Sequence, residues 1–279
     1  MLESAENSFV KFITDTYNEN IFKYPQEALE ILKINIFRDE GYQTLAEMVS
    51  NLHKDVVAPF AIYLIIIYFI IALVDKMSSE NFTWEQFGRQ MAMFFVSYGL
   101  ILHGLEILDL MFEMGDLFLD KIAPTDFEGL EALDESVFED FSSQFGLNIP
   151  FLKEAIAACY LMIPFALSWF VSMAGKILCY SRIIEIYIRA LFAPIAFSDF
   201  FHTGFGGAGW NFLKSFAAVC IQGAMCVGIL MIYCGLSNTI ISGGGAAAAV
   251  IGKSLAFMAA ACMLMFKTQS LAKELLGVR

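Results

Sequence analysis

Val56–Val74 reads VVAPFAIYLIIIYFIIALV, nineteen residues without a charge and rich in Ile, Tyr and Phe on every side. About 20 such residues carry a helix across the hydrocarbon of a bilayer. The run has no stripe of small residues, so much of its circumference is expected to meet lipid. Asp75 and Lys76 stop it. A second uncharged run, Gln90–Leu105, lies inside a span expected over about 88–110, and a third run covers Ala155–Gly175 with Pro164 inside it. Pro is tolerated in a spanning helix and need not mark a hinge. From Ser215 to Gly252 no residue is charged, which is too long for one span. SNTIISGGG, Ser237–Gly245, supplies a turn, so the sequence predicts a tight hairpin over 213–266, with helices at 213–236 and 246–266.

Composition agrees with this pattern. Of 279 residues 58% are hydrophobic and 16% charged, and the mean hydropathy is +0.64, which excludes a soluble globular class. The net charge of −12 is not spread evenly. Residues 1–55 hold ten acids and five Lys/Arg, and residues 113–154 hold eleven acids against Lys121 and Lys153 alone. The acidity therefore belongs to two solvated segments. The six cysteines all lie in or beside apolar runs without CxxC or Cys/His spacing, and read as small core residues. MLESAENSFVKFITD lacks a basic n-region and an uninterrupted h-region, so no cleavable signal is expected.

The expected organisation is all-α and polytopic. Residues 1–55 form an amphipathic N-terminal helical segment, with faces such as Leu45, Met48, Val49 and Leu52. These helices lie on the membrane surface, pack on a partner domain, or cap the protein's own body. Residues 56–112 carry the first two spans. The second is expected to leave the membrane as a continuous helix whose wet face bears Glu106, Asp109, Glu113 and Asp116. Residues 113–154 form an acidic external loop, and 155–279 a C-terminal membrane body. Lys/Arg cluster near Lys76 and Arg89, after the third span, and at the C-terminus. Placing them inside gives an external N-terminus, a cytoplasmic C-terminal tail and five transmembrane helices. Segment 183–201 is then an internal interfacial helix; if it crosses, there are six. Ala248, Gly252, Ala256 and Ala260 recur every four residues, as do Cys220, Ala224 and Gly228, a spacing that lets helix backbones approach closely.

Arg182–Asp199, RIIEIYIRALFAPIAFSD, is apolar yet carries Arg182, Glu185, Arg189 and Asp199. Ionisable groups at membrane depth are costly and face protein or water. Glu185 and Arg189 form an i,i+4 pair in the favourable order, and Arg182 is i,i+3 to Glu185. Pro194 is expected to break the helix, and Asp199 with His202 opens the glycine-rich HTGFGGAGW, which contains Trp210. This segment is either a self-neutralised helix at the cytoplasmic interface, or a face that lines a conduit or docks a partner. Gly204–Gly209 do not form a phosphate-binding loop, and no GxSxG, HExxH or other catalytic or metal-binding constellation appears. No enzyme activity and no cofactor are expected. His103 is expected to bond to a neighbouring helix, and Lys253 to snorkel.

The stretch from Arg182 to Tyr233, with its Arg-bearing apolar helix, APIAF, a Gly/Trp connector and FLKSF…IQG, resembles the TrbL-like family. This is the polytopic inner-membrane subunit of type IV secretion and conjugation machines, the sixth component of VirB-type systems. TQSLAKELLG looks like the family's cytoplasmic end. The resemblance covers roughly the last hundred residues. It implies a non-catalytic channel or scaffold subunit, assembled as a homo-oligomer in the bacterial cytoplasmic membrane. Cytoplasmic secretion ATPases and a bitopic assembly factor would be its partners, with transient contact to single-stranded DNA or relaxase cargo. Arg189, Pro194 and Trp210 match by position as structurally important residues. The alternative is a membrane transporter or an ABC-type permease subunit, but the chain shows no inverted repeat.

Overall fold

YPQEALEIL places Pro25 in a first helical turn, where its missing N–H costs nothing, and sets Tyr24, Ala28, Leu29 and Leu32 on one face. In the computed structural model this stretch is helix α1 (Tyr24–Leu32), and all four side chains are buried. The structure describes residues 15, 23–77, 83–123, 150–203, 206–242 and 247–278, with the backbone alone at 76, 150–161, 163–165, 203, 241–242 and 247–248. Most of the acidic segment 113–154 lies outside the described residues. Every described element is helical.

The chain divides into two compact units. One comprises Met1–Lys33, Asp120–Tyr180 and Met225–Thr268; the other comprises Ile34–Leu119, Ser181–Ala224 and Gln269–Arg279. In the first unit α1 packs on the protein's own body, one of its three expected placements. Tyr24 Oη donates to Met265 Sδ at 3.4 Å, and Lys176 pairs with Glu27. Gly175 makes this possible, because a side chain there would run into the Tyr24 ring.

In the second unit, α2 (Gln43–Leu52) runs through a π turn at His53–Val57 into α3 (Ala58–Met77). The expected boundary between an N-terminal helical segment and a first span at 56 is therefore not a break in the helix. Pro59 explains the wide turn. It cannot donate to the carbonyl four residues back and its ring crowds that carbonyl, so the backbone loosens just before it, with Ala58 N–H bonding to His53 O. Only 22% of the most apolar window of this helix is buried, as its all-round apolarity predicts.

Helix α4 (Trp84–Leu102) is capped by Thr83, whose hydroxyl accepts from Gln86 N–H. At His103 the chain turns, and α5 (Gly104–Ile122) leaves at 66°. The expected continuous exit helix is thus bent. A side chain at Gly104 would lie 2.7 Å from the Phe197 ring, so the bend sits where the glycine admits that ring. The acidic face is not simply wet: Arg38 donates to Glu113 at 3.0 and 3.2 Å, and Asn35 donates to Asp116 at 3.0 Å. His103 is exposed and bonds Glu106 one turn on, rather than a neighbouring helix.

Helix α6 (Pro150–Ser198) has 49 residues and rises about 74 Å, more than twice the hydrocarbon thickness. It includes both the expected third span and most of the expected interfacial segment 183–201. It runs through Pro164 and past Pro194, so the break falls at Asp199, followed by the short α7 (Phe200–Thr203). Helices α8 (Ala208–Ser242) and α9 (Ala247–Leu275) form the predicted pair, but Ser237–Ser242 continues α8 instead of starting the turn.

Among the described residues three helical stretches are long and apolar enough to cross a membrane: Glu40–Asp75, Ala208–Ile240 and Ala249–Leu275. A fourth is added if the bent pair α4 and α5 counts as one span. The protein is a multi-pass membrane protein whose described elements are all helical. Five of its cysteines, Cys179, Cys220, Cys226, Cys234 and Cys262, are buried and unbridged, as small core residues.

Most of the small-residue stripe of α9 stays uncovered within the chain, whereas the row on α8 is covered in part. Ala224 on α8 is buried, but Gly252, Ala256 and Ala260 are exposed, and a side chain at Gly228 or Gly252 would meet nothing within 4 Å. The side chain of Ala248 lies outside the described residues. The buried face of α9 is instead Val250, Ile251, Met258, Ala261, Cys262 and Met265. Ala256→Leu is therefore expected to change the stability of the folded chain by less than about 0.5 kcal/mol. A thermal melt in detergent checks this, and a large loss would show that the face is covered.

Candidate functional site

Arg182 enters the second unit from α6 and is 5% exposed. Its Nε donates to Val219 O at 3.2 Å and its Nη2 to Cys220 O at 3.3 Å, both on α8. The guanidinium carbon lies 5.9 Å from the Phe112 ring centre on α5, within cation–π range. Two glycines make room for it. A side chain at Gly223 would come within 2.5 Å of the guanidinium, and one at Gly115 would press on Cys220 at 2.9 Å. The socket exists because the residues that face each other across it are small.

One turn on, Glu185 and Arg189 form the predicted pair, with Arg189 Nε and Nη2 both donating to Glu185 Oε1, at 2.9 and 2.6 Å. The pair does not stand alone. Arg189 Nη1 donates to Ser215 Oγ at 2.8 Å, and Gln269 Nε2 donates to both carboxylate oxygens of Glu185 at 2.7 and 2.9 Å. Hydrogen bonds on every side are what let an ion pair tolerate partial burial, where desolvation otherwise offsets the attraction. The adjoining face of this part of α6 exposes Ile184, Ile188, Phe192 and Ile195, spaced by four, four and three residues. The charges bond to protein groups, while the apolar stripe is left uncovered.

Pro194 is buried within the last turns of α6 and does not break it. Asp199 makes the elbow: its Oδ2 accepts from Ala208 N–H at 2.8 Å and Gly209 N–H at 3.3 Å, satisfying donors that the start of α8 leaves open. Gly209 is required there, since a side chain would meet Ala196 O at 2.7 Å and the Phe200 ring at 2.5 Å. Trp210 is half-buried, with Lys214 Nζ 5.9 Å from its ring centre.

The structure thus gathers Arg182, Glu185, Arg189, Pro194, Asp199 and Trp210 into one unit, along one helix and the elbow that follows it. The packing residues Gly228, Gly252, Ala256 and Ala260 belong to the other unit. Sequence reading missed Ser215, Gln269, Gly115 and Gly223, none of which stands out from its neighbours by type. It also passed over His53. Its ring is buried at the π turn, with Nδ1 2.9 Å from Ala190 O and Nε2 without a partner among the described residues. Among the described residues no group of three or more His, Cys, Asp or Glu could hold a metal ion. The arrangement holds charges at fixed positions and satisfies them internally. No protein-family model, curated protein or solved structure matches the chain.

Proposed function

We propose that this protein is a non-catalytic channel and scaffold subunit of a type IV secretion machine, of the kind used in conjugative DNA transfer. It assembles in several copies in a bacterial cytoplasmic membrane. In this reading five spans leave the N-terminus and the acidic 113–154 segment outside and the C-terminus in the cytoplasm, where secretion ATPases and a bitopic assembly factor engage it. The observation that carries this reading is the Arg182–Tyr233 stretch with its TrbL-like pattern. The geometry of that stretch supports a structural role, because Glu185 and Arg189 are satisfied by Ser215 and Gln269 and offer little free charge to a moving solute. The rise of α6, about 74 Å, leaves helix beyond the hydrocarbon on which partners can assemble.

Deleting the gene in its native host is expected to lower transfer of a mobile element below detection without slowing growth. The wild-type gene supplied in trans should restore it. Unchanged transfer in the deletion strain, or solute transport by the purified protein alone in liposomes, would overturn the assignment.

A further inference from the structure

A cleft of about 790 Å³ opens in the second unit, between the last turns of α3, the first turns of α4, and α7. Its polar wall carries Asp75, Gln86, Arg89, Gln90 and His202; its apolar wall carries Ile71, Ala72, Met93 and Phe201. Two features mark it as a site rather than a packing defect. Asp75 and Arg89 have opposite charges on one cleft, yet among the described residues neither has an ion-pair partner. Gln90 Oε1 is buried and accepts no hydrogen bond among those residues, a costly state for a carbonyl oxygen unless a ligand supplies the donor.

Depth adds a constraint. Asp75 closes the uncharged run of α3, and Trp84, 83% exposed, begins α4. Tryptophan concentrates at the level of lipid head groups, so the polar wall sits at that level and the apolar wall lies toward the acyl chains. A ligand that fits must therefore be amphiphilic and must present an anion to Arg89 and a cation to Asp75. The acceptor on Gln90 narrows it further. With the Asp75 carboxylate it calls for N–H donors on the cation, which a primary ammonium has and a trimethylammonium lacks.

We propose that this cleft binds a phospholipid whose head group combines a phosphodiester and a primary amine, as in phosphatidylethanolamine. The phosphate forms charge-assisted hydrogen bonds with the Arg89 guanidinium, and the ammonium bonds Asp75 and Gln90 Oε1. The inference rests on the membrane character of the chain and is independent of the secretion assignment.

Native mass spectrometry of the full-length protein in detergent tests it, with phosphatidylethanolamine, phosphatidylcholine and phosphatidylglycerol offered at equal concentration. Phosphatidylethanolamine should be retained about tenfold better than phosphatidylcholine, the scale of one or two charge-assisted hydrogen bonds. Asp75→Asn and Gln90→Leu should erase that preference, and Arg89→Gln should weaken retention of all three lipids. Equal retention of the two zwitterionic lipids by the wild-type protein overturns the proposal and needs no variant to read. Competition by soluble phosphoethanolamine at the same concentration as the lipid would also overturn it, by assigning the cleft to a soluble solute.

Discussion

Arg182→Glu is expected to leave almost no folded protein in the membrane. The guanidinium donates to Val219 O and Cys220 O from a position 5% exposed, and reversal would set a carboxylate against two carbonyl oxygens. A buried charge facing its own sign, without donors, costs several kcal/mol, against a total stability of about 5–15 kcal/mol for an ordinary domain. Arg182→Lys separates geometry from charge. Lys keeps the cation but presents a point charge where the two carbonyls are reached by a planar fork. It is expected to cost about 1–3 kcal/mol and to accumulate at reduced level. Membrane abundance and the melting temperature of a fluorescent fusion in detergent check both. Equal behaviour of the Lys and Glu variants would show that the socket does not select for charge.

Gly175→Leu is the second large effect. Tyr24 is fully buried against Gly175, and even a methyl group there would come within 2.7 Å of the Tyr24 ring. A leucine must expel the ring, and with it the anchor of α1. Losing a large buried aromatic costs about 3–5 kcal/mol, so the variant should melt earlier and release the N-terminal segment to limited proteolysis. Gly175→Ala is expected to be milder. It should be partly rescued by Tyr24→Phe, since the phenol oxygen is among the atoms that the new methyl meets. If the single and double variants melt alike, the two residues are not coupled in the way the packing implies.

Much of this architecture could be read from charge alone. Runs such as Val56–Val74 and Ser215–Gly252 contain no charged residue, and their described residues are helical. The Glu185–Arg189 pair was equally legible, because i,i+4 geometry is a property of the helix itself. What failed was inference about helix ends and faces. Pro194 and the SNTIIS stretch look like breaks, yet a spanning helix can absorb such residues where neighbours satisfy the backbone. The alanine stripe of α9 has a spacing that allows close approach without saying to what, and it stays uncovered within the chain for a related reason. A helix apolar all round gives periodicity little to work with, and the choice of buried face is made by the volumes of residues far away in sequence. Gly115 and Gly223 show this most clearly, since neither means anything until Cys220 lies against the one and Arg182 against the other.

The hydrogen bonds around Glu185 also imply an order in time. Arg189 lies four residues from Glu185 and is in reach as soon as that turn of helix exists, Ser215 arrives 26 residues after Arg189, and Gln269 lies 84 residues after Glu185. While the chain is being made, the two charges therefore shelter each other long before the rest of their surroundings appears. The last helix closes the cluster rather than founding it, so a nascent chain halted before Gln269 already holds its most expensive residues in neutralised form.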